Sequence, residues 1–157
     1  MAMGANRIRV AKDKAELVKS LVISESSTGP FQTYADAMVF AAALGAKRKK
    51  RSPLGTISTK EVSPIALEVF VSRGYDRVLK LLAIAQTKEA KILSPTDDIA
   101  EEKRIHIFEE YANGGLEILR DGLRGAVDYS ERLLLILSGE RFKKETPEGD
   151  FDLSRFL

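Results

Sequence analysis

Two groups of residues in this 157-residue chain have types and spacing that could do chemistry. The first is an unbroken run of five cations, Lys47, Arg48, Lys49, Lys50 and Arg51. No acid lies within the run to neutralise it, so its natural partner is a polyanion, and nucleic acid is the commonest polyanion in a cell. Arg7, Arg9 and Lys12 are expected to join the same surface. Contacts of this kind hold the phosphate backbone and do not read bases. No aromatic residue interleaves with the run, so base stacking is not expected on it. A nuclear-localisation signal is another use of such a run. The second group is acidic: Asp97, Asp98, Glu101 and Glu102, followed by His106 and Glu109. Glu102, His106 and Glu109 share a helix edge, but a metal centre usually draws three or four protein ligands, and a solvated or hydrogen-bonded histidine is the expectation. The acids of 97–102 are the only candidates for metal-assisted cutting of DNA. Their simpler role is to complement the dipole of a helix N-terminus.

Other chemistry is missing. Ser24, Ser26 and Ser27 have no nucleophile elbow around them. Neither the phosphate-binding loop G-x-x-x-x-G-K-[ST] nor G-x-G-x-x-G occurs, and Gly122 and Gly125 near Arg120 and Arg124 match no phosphate fingerprint. There is no cysteine, which excludes disulfides, thiolate metal sites and thiol nucleophiles and fits a reducing cytosol. The expectation is a non-enzymatic protein with no catalytic residue, no metal and no cofactor, placed in the cytoplasm. The N-terminus runs into Arg7 and Arg9 instead of an apolar stretch, so no signal peptide is expected. The longest apolar stretch, Ala37–Leu44, is too short for a bilayer.

The elements that must position these groups read as helices. A hydrophobic fraction of 44% with 31% charged residues is that of a folded chain, and the length suits one core. Leu17, Val18, Leu21 and Val22 mark a helix within 12–23. Residues 24–30 read as a loop. Thr33 is the expected N-cap of a helix from Tyr34 to Leu44, apolar nearly all round and therefore buried on all sides, with Gly45 as its C-terminal glycine. Residues 47–59 read as an exposed loop. Residues 64–72 alternate like a strand, yet Ser63-Pro64 and Gly74 punctuate a helix, which is favoured. Tyr75, Val78, Leu79 and Leu82 define another helix to about Gln86. The longest pattern opens at Pro95–Asp98 and keeps phase through Ile105, Phe108, Ala112, Leu116, Leu119 and Leu123. It crosses Asn113-Gly114-Gly115, where two interior glycines cost roughly 1 kcal/mol each against alanine. That cost is acceptable where another backbone must come close or where the helix kinks. Asp128 caps a last helix ended by Gly139.

The fold class expected is therefore all-α: one compact helical domain of about six helices over residues 1–139, with a partly ordered polar tail over 140–157. Residues 1–60 hold eleven basic and four acidic side chains, a charge of +7, and the remainder holds fourteen and nineteen, a charge of −5. Such a split can present one face to an anion and another to a cationic partner or a second copy, or it can solvate two ends of one domain.

Three segments, Gly29–Arg51, Leu67–Leu93 and Arg104–Gly125, together resemble the bacterial Dnd-system-associated small proteins, which accompany DNA phosphorothioation genes. Asn113–Tyr129 is similar, more weakly, to the DndE component, whose family is small, helical, self-associating and DNA-binding. The resemblance implies an accessory factor of a phosphorothioation-linked modification or restriction system. Its partners would be duplex DNA, other Dnd proteins and further copies of itself, and no membrane. In that chemistry a nonbridging backbone oxygen is replaced by sulfur, and the desulfurase and ATP-using steps belong to other components. A chain without cysteine suits that division of labour. Lys47–Arg51 carry over only as a class, as the positions able to serve as a DNA-contacting patch. The rival expectation is an assembly subunit that never touches DNA and docks through the glycine-bearing helix, the acidic half and the phenylalanines of the tail.

Overall fold

The computed structural model describes residues 6–25 and 27–142. Six α-helices lie among them: α1 (Ala15–Leu21), α2 (Tyr34–Lys47), α3 (Leu67–Ser72), α4 (Asp76–Thr87), α5 (Asp98–Gly122) and α6 (Tyr129–Phe142). The all-α expectation needs one correction, because two short antiparallel ribbons accompany them. In one, β1 (Arg7–Ile8) pairs with β4 (Ile65–Ala66), Arg7 opposite Ala66. In the other, β2 (Ile23–Ser24) and β3 (Ser27–Thr28) form a hairpin where a loop was expected. Two-residue strands leave no room for the alternation by which strands are recognised. The same limit explains 64–72, where β4 passes directly into α3.

Local signals placed the helix starts well. Thr33 accepts the amide of Asp36 at 3.2 Å, and Asp97 accepts those of Ile99 at 2.9 Å and Ala100 at 3.4 Å. Asp128 accepts from Glu131 at 3.2 Å at the start of α6. The helix ends were less legible. α6 continues through Gly139 to Phe142, past the expected boundary. The tail beyond 142 lies outside the described residues.

The core is the seam between α2 and α5. Ala37, Met38, Ala41 and Ala42 of α2 are buried together with Phe108, Ala112, Leu116 and Leu119 of α5. Val18 and Leu21 of α1, Ile8 of β1 and Phe70 of α3 close the same cluster. Phe70 meets Phe108 edge-to-face, centroids 5.5 Å apart. A smaller cluster, Ala83, Ile92, Ala100 and Ile107, joins α4 to the start of α5. Arg104 is buried there and donates to the carbonyls of Ile92 at 2.7 Å and Ser94 at 3.0 Å. α2 is not buried on all sides as its composition implied. Ala43 is exposed and Val39 and Phe40 only half-buried.

Glycines make the seam tight. A Cβ on Gly115 would lie 1.7 Å from the carbonyl oxygen of Ala41, and one on Gly114 would lie 2.1 Å from that of Lys50. α5 runs unbroken through both, so close approach, not a kink, is their purpose. Gly45 has the same task. It does not end α2, which runs on to Lys47, and a Cβ there would lie 2.1 Å from the carbonyl oxygen of Tyr111. At these three positions the space for a Cβ is filled by another backbone, which only glycine tolerates.

At the start of α2, Asp36 accepts from Arg73 Nε and Nη2, both at 3.0 Å, and from the Tyr75 hydroxyl at 2.5 Å. Burial alone would raise its pKa, but hydrogen bonds to Tyr75, Thr33 and Arg73, with the Arg73 charge, hold it below the usual carboxylate value. A depressed carboxyl contributes stability that is complete above its unfolded pKa and lost as pH falls through the lower folded one. The stability gap between the wild-type chain and Asp36→Asn should therefore shrink as pH falls below about 4. Urea midpoints measured from pH 7 downward check this, and a gap that stays constant would count against it.

Candidate functional site

The basic run begins in the last turn of α2. Lys47 is its final helical residue, Arg48 is the C-cap, and Lys49 takes a left-handed conformation with φ of 55°. The Lys50 amide then donates back to the Gly45 carbonyl at 2.7 Å. The chain leaves the helix in a closed turn whose backbone lies against Gly114 of α5.

Beyond this turn the chain is the largely exposed loop expected over 47–59, but hydrogen bonds clamp it to α5 and to the N-terminal segment. The Ser52 amide donates to the Glu110 carbonyl at 3.0 Å. Asn113 donates from Nδ2 to the Pro53 carbonyl at 3.0 Å, while its Oδ1 accepts from the buried ammonium of Lys14 at 3.1 Å. Farther on, the Lys12 amide donates to the Thr56 carbonyl and the Ser58 amide to that of Val10, each at 2.8 Å. The Asn113-Gly114-Gly115 triplet is thus one device. Asn113 ties down the segment after the basic run, Gly114 admits the backbone of Lys50, and Gly115 admits α2.

The expected cations do not form one free patch. Arg48 is ion-paired with Glu140 of α6. Arg51 donates from Nε to Glu110 Oε1 at 2.7 Å, and its guanidinium lies 5.8 Å from the centre of the Tyr111 ring. Arg9 is pinned most firmly, with its amide, Nε and Nη2 donating to Glu109 at 2.7, 3.0 and 2.9 Å. The Glu109 side chain is fully buried, and its hydrogen bond is the main reason the Arg9 pKa is raised above its ordinary value. Lys47 is exposed but is engaged in an interaction of its own. Lys12, Lys49 and Lys50 are exposed and have no ion pair to a described residue. Arg7 is exposed, and among the described residues its side chain makes only a long, 3.4 Å contact to the Pro64 carbonyl.

Part of the charge asymmetry of the sequence is met inside the molecule. Arg9–Glu109, Arg48–Glu140, Arg51–Glu110 and Lys19–Glu61 each join the basic N-terminal part to the acidic remainder, and Asp36–Arg73 does so with the signs reversed. The acids of 97–102 are helix-start groups, with Asp97 capping α5 and Glu101 accepting from Asn6 Nδ2 at 2.7 Å. His106 faces Glu110, Nε2 to Oε2 at 3.1 Å. Among the described residues no three His, Asp or Glu side chains are placed to hold a metal ion, and no helix is long and apolar enough to cross a membrane.

One feature escaped the sequence. Arg7 and Arg9 of β1 and the residue just after it, Arg51 after α2, and Lys103 and His106 of α5 line a single cleft of about 900 Å³. Its other walls come from the end of α4 and from Pro64. Nothing in the local pattern could announce it, since its cations come from three separate stretches of chain.

The sequence as a whole matches, over residues 7–156, the family described as DNA sulphur modification system-associated protein 4. The weaker likeness to DndE finds no support in that match. No curated protein and no solved structure matches the chain. A match over nearly the whole length places the chain in that family, which bears out the resemblance to Dnd-associated proteins.

Proposed function

We propose that this member of the DNA sulphur modification system-associated protein 4 family is a non-catalytic accessory factor that grips the DNA backbone. The family description supports a place in a DNA sulphur modification system. Lys49 and Lys50 carry the rest of the reading. They are exposed, unpaired with any described carboxylate, and held on a turn fixed to α5 through Gly45 and Gly114. Lys12 is hydrogen-bonded through its backbone to Thr56, in the segment that continues from that turn, so the three lysines belong to one hydrogen-bonded stretch of backbone. Lysine presents a point charge suited to phosphate without base discrimination. Arg48, Arg51 and Arg9 serve this surface indirectly, by fixing its backbone to α6 and α5. Other components of the system and further copies of the chain are its proposed partners, in the cytoplasm.

The ion pairs decide which variant tests this. Neutralising all five cations of the run would strip Glu110 and Glu140 of their partners and confound binding with folding. The triple variant Lys12→Gln, Lys49→Gln, Lys50→Gln touches no described ion pair. On duplex DNA it should weaken binding and lower the log–log salt slope by roughly 0.9 for each phosphate contact removed. A mobility-shift titration across salt concentrations measures both. Unchanged affinity and slope would defeat the proposal.

A second reading has its own observation. α6 leaves Leu134, Leu135 and Leu137 exposed, with Val127 just before it. Apolar exposure of this extent fits docking on another protein of the system. Association through such a face should hardly respond to salt, whereas DNA binding falls steeply with it.

A further inference from the structure

The cleft between β1, α4 and α5 has a composition that the backbone-contact reading does not use. Its volume of about 900 Å³ far exceeds that of a bare inorganic anion and lies in the range of organic ligand sites. Its cations are of two kinds. Arg9 is already neutralised by the buried Glu109. Arg7 and Lys103 are exposed without a described carboxylate, and Arg51 spends its Nε on Glu110, which leaves the terminal nitrogens of its fork. Against these stands one lining acid without a described partner, Glu102. The rim is apolar. Ile99 is 65% exposed there, and Pro64, just before β4, lines the same cleft. An isoleucine left so open in the first turn of a helix gains little from folding. It gains once a ligand covers it.

We propose that this cleft binds a nucleoside phosphate. Arg7, Arg51 and Lys103 take the phosphate, and Ile99 and Pro64 take one face of the base or sugar. Arginine forks and a lysine point charge suit phosphate oxygens. Glu102 accepts from a sugar hydroxyl or an exocyclic amine. The same chemistry is offered by a free nucleotide and by the 5′-phosphorylated end of a DNA strand. The site does not depend on backbone contact by Lys12, Lys49 and Lys50, which lie outside the cleft.

Calorimetric titrations with deoxyadenosine 5′-monophosphate, inorganic phosphate, and short duplexes with 5′-phosphate or 5′-hydroxyl ends test this. The nucleotide should bind better than inorganic phosphate by at least about tenfold, because only it covers the apolar rim. Arg7→Gln with Lys103→Gln should cost at least about tenfold. Ile99→Asp, at an exposed position where an acid suits the helix start, should weaken binding without altering the far-ultraviolet dichroism. Lys12→Gln, Lys49→Gln, Lys50→Gln should leave the nucleotide affinity unchanged. Binding of the free nucleotide without end preference assigns a soluble ligand. A 5′-phosphate preference lost in the Arg7/Lys103 variant assigns a strand terminus. Millimolar nucleotide without heat together with indifference to the 5′-phosphate overturns the proposal, and so does binding unaffected by the Arg7/Lys103 change. Loss of backbone binding in the triple-lysine variant with nucleotide binding intact would separate the two sites.

Discussion

Gly115→Ala should abolish cooperative folding. The added methyl carbon would sit 1.7 Å from the Ala41 carbonyl oxygen and 2.5 Å from its carbonyl carbon. Both atoms belong to helical backbone in the middle of α2, so no rotamer change relieves the overlap. Ala41→Gly cannot rescue it either, because the obstruction is main chain. Relief requires α2 and α5 to part, and their seam holds most of the core. The loss should exceed about 4 kcal/mol, which only such backbone or core disruptions reach. Gly139→Ala is the control. Among the described residues nothing lies within 4 Å of its Cβ position, and it sits inside α6. That change should be neutral or stabilise by up to about 1 kcal/mol. Dichroism-monitored urea unfolding of both variants decides, and a wild-type midpoint for Gly115→Ala would show that the helices are not in contact as described.

Glu109→Ala should be the next most damaging change. Its carboxylate is fully buried and takes three hydrogen bonds from Arg9, one of them from the backbone amide. Truncation leaves that amide without its acceptor, opens a hole beside β1 and frees a guanidinium. Breaking a buried pair costs roughly 3–5 kcal/mol when both charges are sealed off. Arg9 is 47% exposed and can turn to water, so a loss of about 3 kcal/mol is expected. Glu109→Gln keeps the shape and one acceptor and should lose less. Because β1 carries Arg7, the cleft should widen as well. Urea midpoints for the two variants read the stability. A loss under about 0.5 kcal/mol for Glu109→Ala, the ordinary range of a surface change, would show that the pair anchors nothing.

Both predictions concern residues whose roles were only half visible in the chain. Two glycines inside a strong helical pattern announced either a close approach or a kink, and close approach is what they provide. The identity of the approaching backbones was not announced: Gly115 meets Ala41, and Gly114 meets Lys50. Gly45 followed an apolar run and looked like a helix stop, yet it serves packing, and the left-handed residue is Lys49. Glu109 looked like one member of an incomplete metal edge. In the fold it is the acceptor that pins β1, and His106 faces Glu110 instead.

What the sequence determined by itself is what local physics determines. Side-chain period along the chain located the helices, Thr33 and Asp128 marked caps, and Pro95–Asp98 marked the opening of α5, because a cap acts within three residues of its position. A match over nearly the whole chain placed it in the family described as DNA sulphur modification system-associated protein 4. Tertiary structure alone decided which cations stay free. The acids that hold Arg51, Arg48 and Arg9 lie 59, 92 and 100 residues away. A charge run shows its own sign but not the distant carboxylate that folding brings against it. That is why Lys12, Lys49 and Lys50 remain exposed without a described ion pair, and why Arg7, Arg51 and Lys103 meet at a cleft that no single stretch of sequence contains.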